Sequence, residues 1–316
     1  MKICSQLEVS RRQLLQMGLV TTAATLVPTG VESLFPPESL AQGQDPLPSW
    51  NDGAAKQAIL NFVRVTTSSS SGHFVPAAER LACFDQDGTT WVEQPIYTQV
   101  VYCLNRVPDL VKAKPELANE EPFKTVMSGD RAAMAKLPTP DLYEILGATL
   151  TGMTVDTFHD RVQQWITTAR DPRWRRLYTE LAYQPMLEVM SYFRANGFRT
   201  YFVTGGGQDF VRAYCEKVYG VPLEQVVGTM GGGITFGYDA MGNPILTKDP
   251  MLLLNDDNAG KPEGIHLMIG RIPHAAFGNS IGTGRCLSTR SPDTGKGWRC
   301  CCCMTTRIAS MLTVLS

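Results

Sequence analysis

The sequence predicts an α/β protein: a doubly wound, mostly parallel sheet with a helical cap inserted after the first core strand. Three observations carry this. Leu81-Ala-Cys-Phe84 is an unbroken apolar run ending at Asp85, the pattern of a short strand buried on both faces. Beyond residue 185, strand and helix patterns alternate, and that alternation builds a parallel sheet through crossover connections. Asp85 and Thr204, each closing a predicted strand, lie 119 positions apart, far more than one crossover needs, so a lobe stands between them.

Taken in order, residues 1–43 read as an export signal. Ser10-Arg-Arg-Gln-Leu-Leu-Gln16 carries twin arginines ahead of Met17–Val27, a run too short and too rich in threonine for a permanent membrane span. Arg11 and Arg12 fit the Tat export machinery, which translocates folded proteins. Ala41-Gln-Gly43 offers a cleavage site, so the mature protein is expected in the periplasm or secreted. The alternative is a basic amphipathic helix that stays attached.

Residues 45–53 form an entry segment, and Ala54–Val65 has helical spacing. Thr66–Gly72 is a polar loop leading to the first strand. From Pro95 to Gln184 the pattern is helical throughout, with Pro95 at a helix first position, then Thr139–Leu146 and Thr154–Ala169. Phe158, Val162 and Trp165 share one face of the last of these, and His159 reads as a surface residue. Arg173, Arg175 and Arg176 around Trp174 read as a solvated basic turn in preference to an anion contact.

Pro185–Asn196 is a helix ended by Gly197, Phe198–Thr204 a strand, Gly205–Gly207 a tight turn and Gln208–Tyr219 a helix. Val226–Thr229 is a strand, Ile234–Thr247 a hairpin broken at Gly242-Asn243, Pro262–Gly270 a helix and His274–Phe277 a strand. The predicted organisation is therefore a core domain (45–94 and 185–282), a cap domain (95–184) and a tail (283–316).

Composition narrows the partners. A net charge of −1 over 316 residues, with scattered basic side chains, argues against nucleic acid as the partner. Of 9 cysteines only Cys83, Cys103 and Cys215 belong to the body, an odd number that makes no disulfide framework. Cys83 sits inside the first strand and reads as core.

Asp85 and Asp87, two apart before Gly88-Thr89, would project from the strand end into the crevice where open α/β sheets bind ligands. Such a pair divides labour, one carboxylate attacking and the other moving protons. Alone, the same residues equally describe an Asx-type turn. Three further stretches follow in order: Phe202-Val-Thr-Gly-Gly-Gly207, Gly260-Lys-Pro-Glu-Gly-Ile265 and Ala275-Ala-Phe-Gly-Asn-Ser280. Together the four resemble the motifs of haloacid dehalogenase-like (HAD) superfamily hydrolases, in the phosphoserine-phosphatase-like branch with a helical cap. The resemblance covers residues 45 to 282.

That resemblance implies a Rossmann-like core and an Mg²⁺-dependent phosphomonoesterase acting on a small phosphorylated metabolite. It makes Asp85 the nucleophile that forms an aspartyl-phosphate, Asp87 the acid and base, and Lys261 the compensating positive charge. Thr204, Gly205 and Gly206, with Lys261, would hold the phosphoryl oxygens. The metal would be held by Asp85, the backbone carbonyl of Asp87 and a motif IV acid, with Asn279 behind them. An ester oxygen needs a proton on leaving and a halide does not, so Asp87 favours a phosphohydrolase over a haloacid dehalogenase.

The chain departs from the pattern at its end. Gly278-Asn-Ser-Ile-Gly-Thr283 carries Thr283 where the family has its acid, which leaves a non-catalytic remnant as the second reading. Asp256 and Asp257 lie just upstream of Lys261 as candidate metal or water contacts. Read one base out of register, neighbouring Cys codons must encode Leu, so Cys300–Cys303 hide Leu-Leu-Leu and Met304-Thr305 hides Asp. Gly282-Thr283 then permits Asp, and Arg285–Thr289 permits Met-Leu-Glu-Tyr. The tail thus reads as a frameshift, a divergent native tail being the alternative. As written, residues 283–316 are expected to pack poorly and add no regular element to the core.

Overall fold

The apolar run identified first, β1 (Leu81–Phe84), is completely buried in the middle of a mostly parallel sheet. The structure is a computed structural model and describes residues 45–231, 233–287, 299–303 and 312–315. The export signal, with Arg11, Arg12 and Gly43, lies outside the described residues.

Helix α1 (Ala54–Thr67) precedes β1, and the inserted lobe holds α2 (Thr98–Ala113), α3 (Phe123–Met127), α4 (Arg131–Met134), α5 (Thr139–Leu150) and α6 (Val155–Ile166). The chain returns through α7 (Gln184–Ala195), β2 (Arg199–Gly207), α8 (Gln208–Arg212), α9 (Cys215–Tyr219) and β3 (Val226–Gly231). A ribbon of β4 (Ile234–Tyr238) and β5 (Pro244–Lys248) leads to β6 (Leu252–Leu254), α10 (Gly260–Met268), β7 (Ala275–Gly278) and α11 (Ile281–Gly284). Two last strands, β8 (Arg299–Cys303) and β9 (Leu312–Leu315), complete the 7-stranded sheet in the order β6-β3-β2-β1-β7-β8-β9.

The strands from β3 to β8 run parallel, with β6 and β9 antiparallel at the two edges. Strand period sorts the core. Leu81 and Cys83 pack with Tyr201, Val203, Val227 and Ile265 on one face. Ala82 and Phe84 join Phe62, Phe193 and Phe277 on the other, where the Phe84 and Phe277 rings stack 4.7 Å apart. The same apolar cluster continues into the insertion. Tyr102 of α2 meets Trp165 at 5.4 Å and Phe210 of α8 at 5.5 Å, fixing the helical lobe to the core.

Several expectations need correcting. Gly205–Gly207 is not a turn; β2 continues through it with a register shift after Thr204. The missing side chains permit this, since a Cβ on Gly228 of β3 would stand 2.8 Å from the Gly206 carbonyl oxygen. The helix predicted over 208–219 is two helices, because Tyr214 turns inward to stack on Trp91 at 5.1 Å. Pro95 does not start a helix. The helix begins at Thr98, after Tyr97 in extended conformation. Cys83 is core as expected, and Arg173 to Arg176 form an exposed turn built on Asp171, whose carboxylate accepts the Arg173 and Trp174 N–H groups.

The tail is the largest correction. Thr283 and Cys286 are buried, and β8 pairs with β7 from Ala275↔Cys300 to Gly278↔Cys303. The expectation of no regular element fails for a physical reason. Without β8, β7 would leave a row of N–H and C=O groups unpaired on its outer side, and a backbone ladder places little demand on side chains. Residues 288–298 and 304–311 of the tail lie outside the described residues.

Candidate active site

Parallel pairing on both sides carries β1 straight to the crevice, and the Asp85 N–H extends the ladder by donating to the Phe277 carbonyl at 2.8 Å. The chain then folds back. Gly88 adopts φ +71°, and the N–H groups of Thr89 and Thr90 donate to the Gln86 carbonyl. This return brings Trp91 under Asp87, where its indole N–H donates to Asp87 Oδ1 at 2.8 Å.

Three donors converge on the carboxylate of Asp85, a residue 9% exposed. Lys261, 2% exposed in the first turn of α10, places Nζ 2.9 Å from Asp85 Oδ1 and donates to the Val203 carbonyl at 2.7 Å. The Gln86 N–H donates to the same Oδ1 at 2.9 Å. From α11, the Thr283 hydroxyl donates to Asp85 Oδ2 at 3.2 Å. Gly278 makes room for it, since a Cβ there would lie 2.0 Å from Thr283 Oγ1. Position 283 therefore faces Asp85 directly.

Thr204 is buried at the end of the regular part of β2, and its Oγ1 accepts the Gly206 N–H at 3.0 Å. A Cβ on Gly206 would stand 3.3 Å from Thr204 Oγ1 and 3.8 Å from Asp87 Oδ2, so the glycine run lies beside the second aspartate. Gly205 faces Asp257, whose Cβ would be 3.4 Å from an added methyl group. Asp256 lies close enough to Lys261 and Asp85 to feel both charges. It is fully buried, and its Oδ1 lies where a Cβ on Gly264 of α10 would be 2.3 Å away.

Electrostatics separate the acids. Burial pushes the Asp87 carboxyl up to about 7, with Asp85 and Glu93 adding to the rise and the Trp91 hydrogen bond and Lys261 opposing it. Burial likewise pushes Asp256 up to about 8 against the pull of Lys261. A carboxyl poised near neutrality is suited to giving and taking a proton.

Four neighbours escaped the sequence reading. Glu93 accepts from Asn279 Nδ2 at 3.1 Å, so Asn279 stands behind Gly88 on a carboxylate no motif marks. Gln99, on the first turn of α2, accepts the Gly207 N–H at 2.7 Å, placing the inserted lobe over the glycine run. Tyr214 stacks on Trp91 and accepts a hydrogen bond from the Gln86 side chain. Trp91 follows Asp87 by four residues inside a turn and was within reach of local reasoning. Gln99, 108 residues from its partner, carries no local signal.

The metal expected from the resemblance does not fit the residues present. A Mg²⁺ ion wants octahedral oxygen ligands with carboxylates among them. Both Asp85 oxygens already take donors, and position 283 supplies a hydroxyl whose proton points at Asp85. Among the described residues no group of three or more His, Cys, Asp or Glu stands placed to hold a metal ion.

No protein-family model matches the chain, and no curated protein matches it. Solved structures do. One similar structure is a phosphoserine phosphohydrolase-like protein from Francisella tularensis subsp. tularensis SCHU S4, at 16% identity and TM-score 0.34, covering 65% of this chain and 81% of that one. Another is cytosolic 5'-nucleotidase IIIB bound to cytidine, at 12% identity and TM-score 0.37, covering 75% of each chain. A third is a conserved functionally unknown protein from Anaerococcus prevotii DSM 20548, at 14% identity and TM-score 0.40, covering 68% and 76%. At such scores these likenesses carry no weight for the chemistry of this site.

Proposed function

We propose that the chain is a HAD-type phosphohydrolase for a small phosphomonoester, impaired as written because Thr283 stands in place of an acid. The observation that carries this is the convergence on the paired carboxylates: Lys261 on Asp85 Oδ1, Thr283 on Asp85 Oδ2, and the Thr204 glycine run beside Asp87.

In this reading Asp85 attacks phosphorus, forming a carboxyl O–P bond as the ester P–O bond breaks. Asp87, which burial keeps about half protonated near neutral pH, gives its proton to the departing alkoxide. It then takes a proton from the water that cleaves the aspartyl-phosphate, returning Asp85 and releasing inorganic phosphate. Thr204, with the Gly205 and Gly206 backbone, would orient phosphoryl oxygens, and Lys261 offsets the charge that two anions bring together. Phosphoryl transfer depends mainly on such charge compensation, so the lost acid at 283 is expected to matter.

The test is a phosphomonoester panel on the chain as written, Thr283→Asp and a frame-restored chain, each with and without Mg²⁺. Mg²⁺-dependent turnover in the restored chain, abolished by Asp85→Asn, is the expected result. No turnover in any of the three would favour a remnant that merely retains the architecture. We further propose that the tail arises by a one-base shift, which sequencing the gene decides. Export through Arg11 and Arg12 is proposed on the residues alone, and a reporter fused to residues 1–43 that stays in the cytoplasm would rule it out.

A further inference from the structure

We propose that the β4–β5 ribbon is the interface of a symmetric homodimer, in which the β4 edges of two copies pair antiparallel. The ribbon is apolar on the outside. Phe236 (59% exposed), Tyr238 (66%) and Leu246 (47%) share one face, with Phe236 directly opposite Leu246 in the register and its ring 5.2 Å from that of Tyr238. Ile234, Met241 and Met251 extend the patch. Met251 reaches the base of the ribbon, where its Cε lies 3.5 Å from a Cβ placed on Gly233. The exposed Leu252 and Leu253 of β6 follow Met251 along the chain. Monomers rarely leave this much apolar surface in one place.

The edge itself points to a second copy as the occupant. β5 is paired on its outer side at its C-terminal end, where Lys248 exchanges backbone hydrogen bonds with Gly152 and Met153 and Thr247 bridges to Thr154. β4 has no strand beyond it among the described residues. Open edges are normally blunted by Lys, Pro or a bulge, and Ile234-Thr-Phe-Gly-Tyr238 has none of these. A strand with no charge gives a charged partner nothing to recognise, whereas it is complementary to itself. Antiparallel pairing obeys a two-fold axis, so the contact closes after two chains. It also sends the two Asp239 carboxylates to opposite ends of the pairing.

Sedimentation equilibrium of the full chain at micromolar concentration should return twice the mass of one chain. Phe236→Lys combined with Leu246→Lys should give a single-chain mass, with the dissociation constant raised about a hundredfold or more. Both side chains are solvent-facing, so the circular dichroism spectrum should be unchanged. Leu223→Lys, at an exposed site elsewhere, should leave the dimer intact. Amide exchange across 234–238 should slow as protein concentration rises, a readout that does not depend on any variant folding. A monomeric wild type, a dimer that survives the double substitution, or growth beyond two chains would each overturn the proposal.

Discussion

Asp85 is surrounded by donors, and what each neighbour does to it is open to measurement. Lys261 and Asp85 form a buried pair, and removing one member of such a pair costs about 3–5 kcal/mol because the other is left charged and unpaired. Urea unfolding of Lys261→Met should show a loss of that order. Asp87→Asn keeps an acceptor for the Trp91 indole, so the fold should survive. Turnover of alkyl phosphates in the restored chain should then fall about 10²–10⁴-fold, with a smaller loss for p-nitrophenyl phosphate, whose leaving group needs no proton. The sign on stability also follows. A folded-state pKa raised from 3.8 to about 7 means that Asp87 contributes stability below pH 4 that is lost as pH rises through 7. Asp87→Asn should flatten that slope. At this scale the sequence was largely legible, because Asp85, Asp87, Thr204 and Lys261 lie in short ordered stretches whose spacing survives folding. Glu93 and Gln99 were not, since their roles depend on how the insertion returns over the site.

Among the elements, the strands were read best where apolar runs were unbroken, as in β1 and β7. Boundaries failed where tertiary contacts overrode local preference: Tyr214 breaking a helix to reach Trp91, and glycines prolonging β2. The turn after β1 shows how tightly an element can be specified. A Cβ on Gly88 would stand 2.1 Å from Asn279 Nδ2 and 2.5 Å from Glu93 Cδ, at φ +71°. Gly88→Ala should therefore cost more than about 1 kcal/mol in a thermal or urea unfolding experiment. An unchanged midpoint would mean that the turn relaxes freely. The tail strands were missed because a Cys run in a polar segment resembles no strand pattern, while pairing beside β7 is a backbone matter. A chain ending at residue 298 would lose β8 and β9 and uncover β7. Light scattering should report aggregation of that truncated chain, and a soluble product with an unchanged melting temperature would show that these strands add nothing.

For the whole molecule, the sheet order places the candidate site. β2, β1 and β7 are neighbours, so the three strands that end in Thr204, Asp85 and the Gly278 loop open into one crevice, and α10 brings Lys261 in from one face. The alternation of strand and helix made this arrangement legible in outline, but not the edge strands or the ribbon, which depend on long-range pairing. In the proposed reading this crevice is a phosphoryl-transfer site, complete except at position 283. The most direct measurement is the response of Thr283→Asp to Mg²⁺, read as melting temperature and as phosphomonoester turnover. A second carboxylate about 3 Å from Asp85 repels it until a divalent cation binds. The variant should therefore melt lower than the parent without metal, rise by several degrees when millimolar Mg²⁺ is added, and gain Mg²⁺-dependent turnover. The parent chain should show neither response. A Thr283→Asp chain indifferent to Mg²⁺ in both readouts, or a parent chain that responds as strongly, would contradict the assignment of the site.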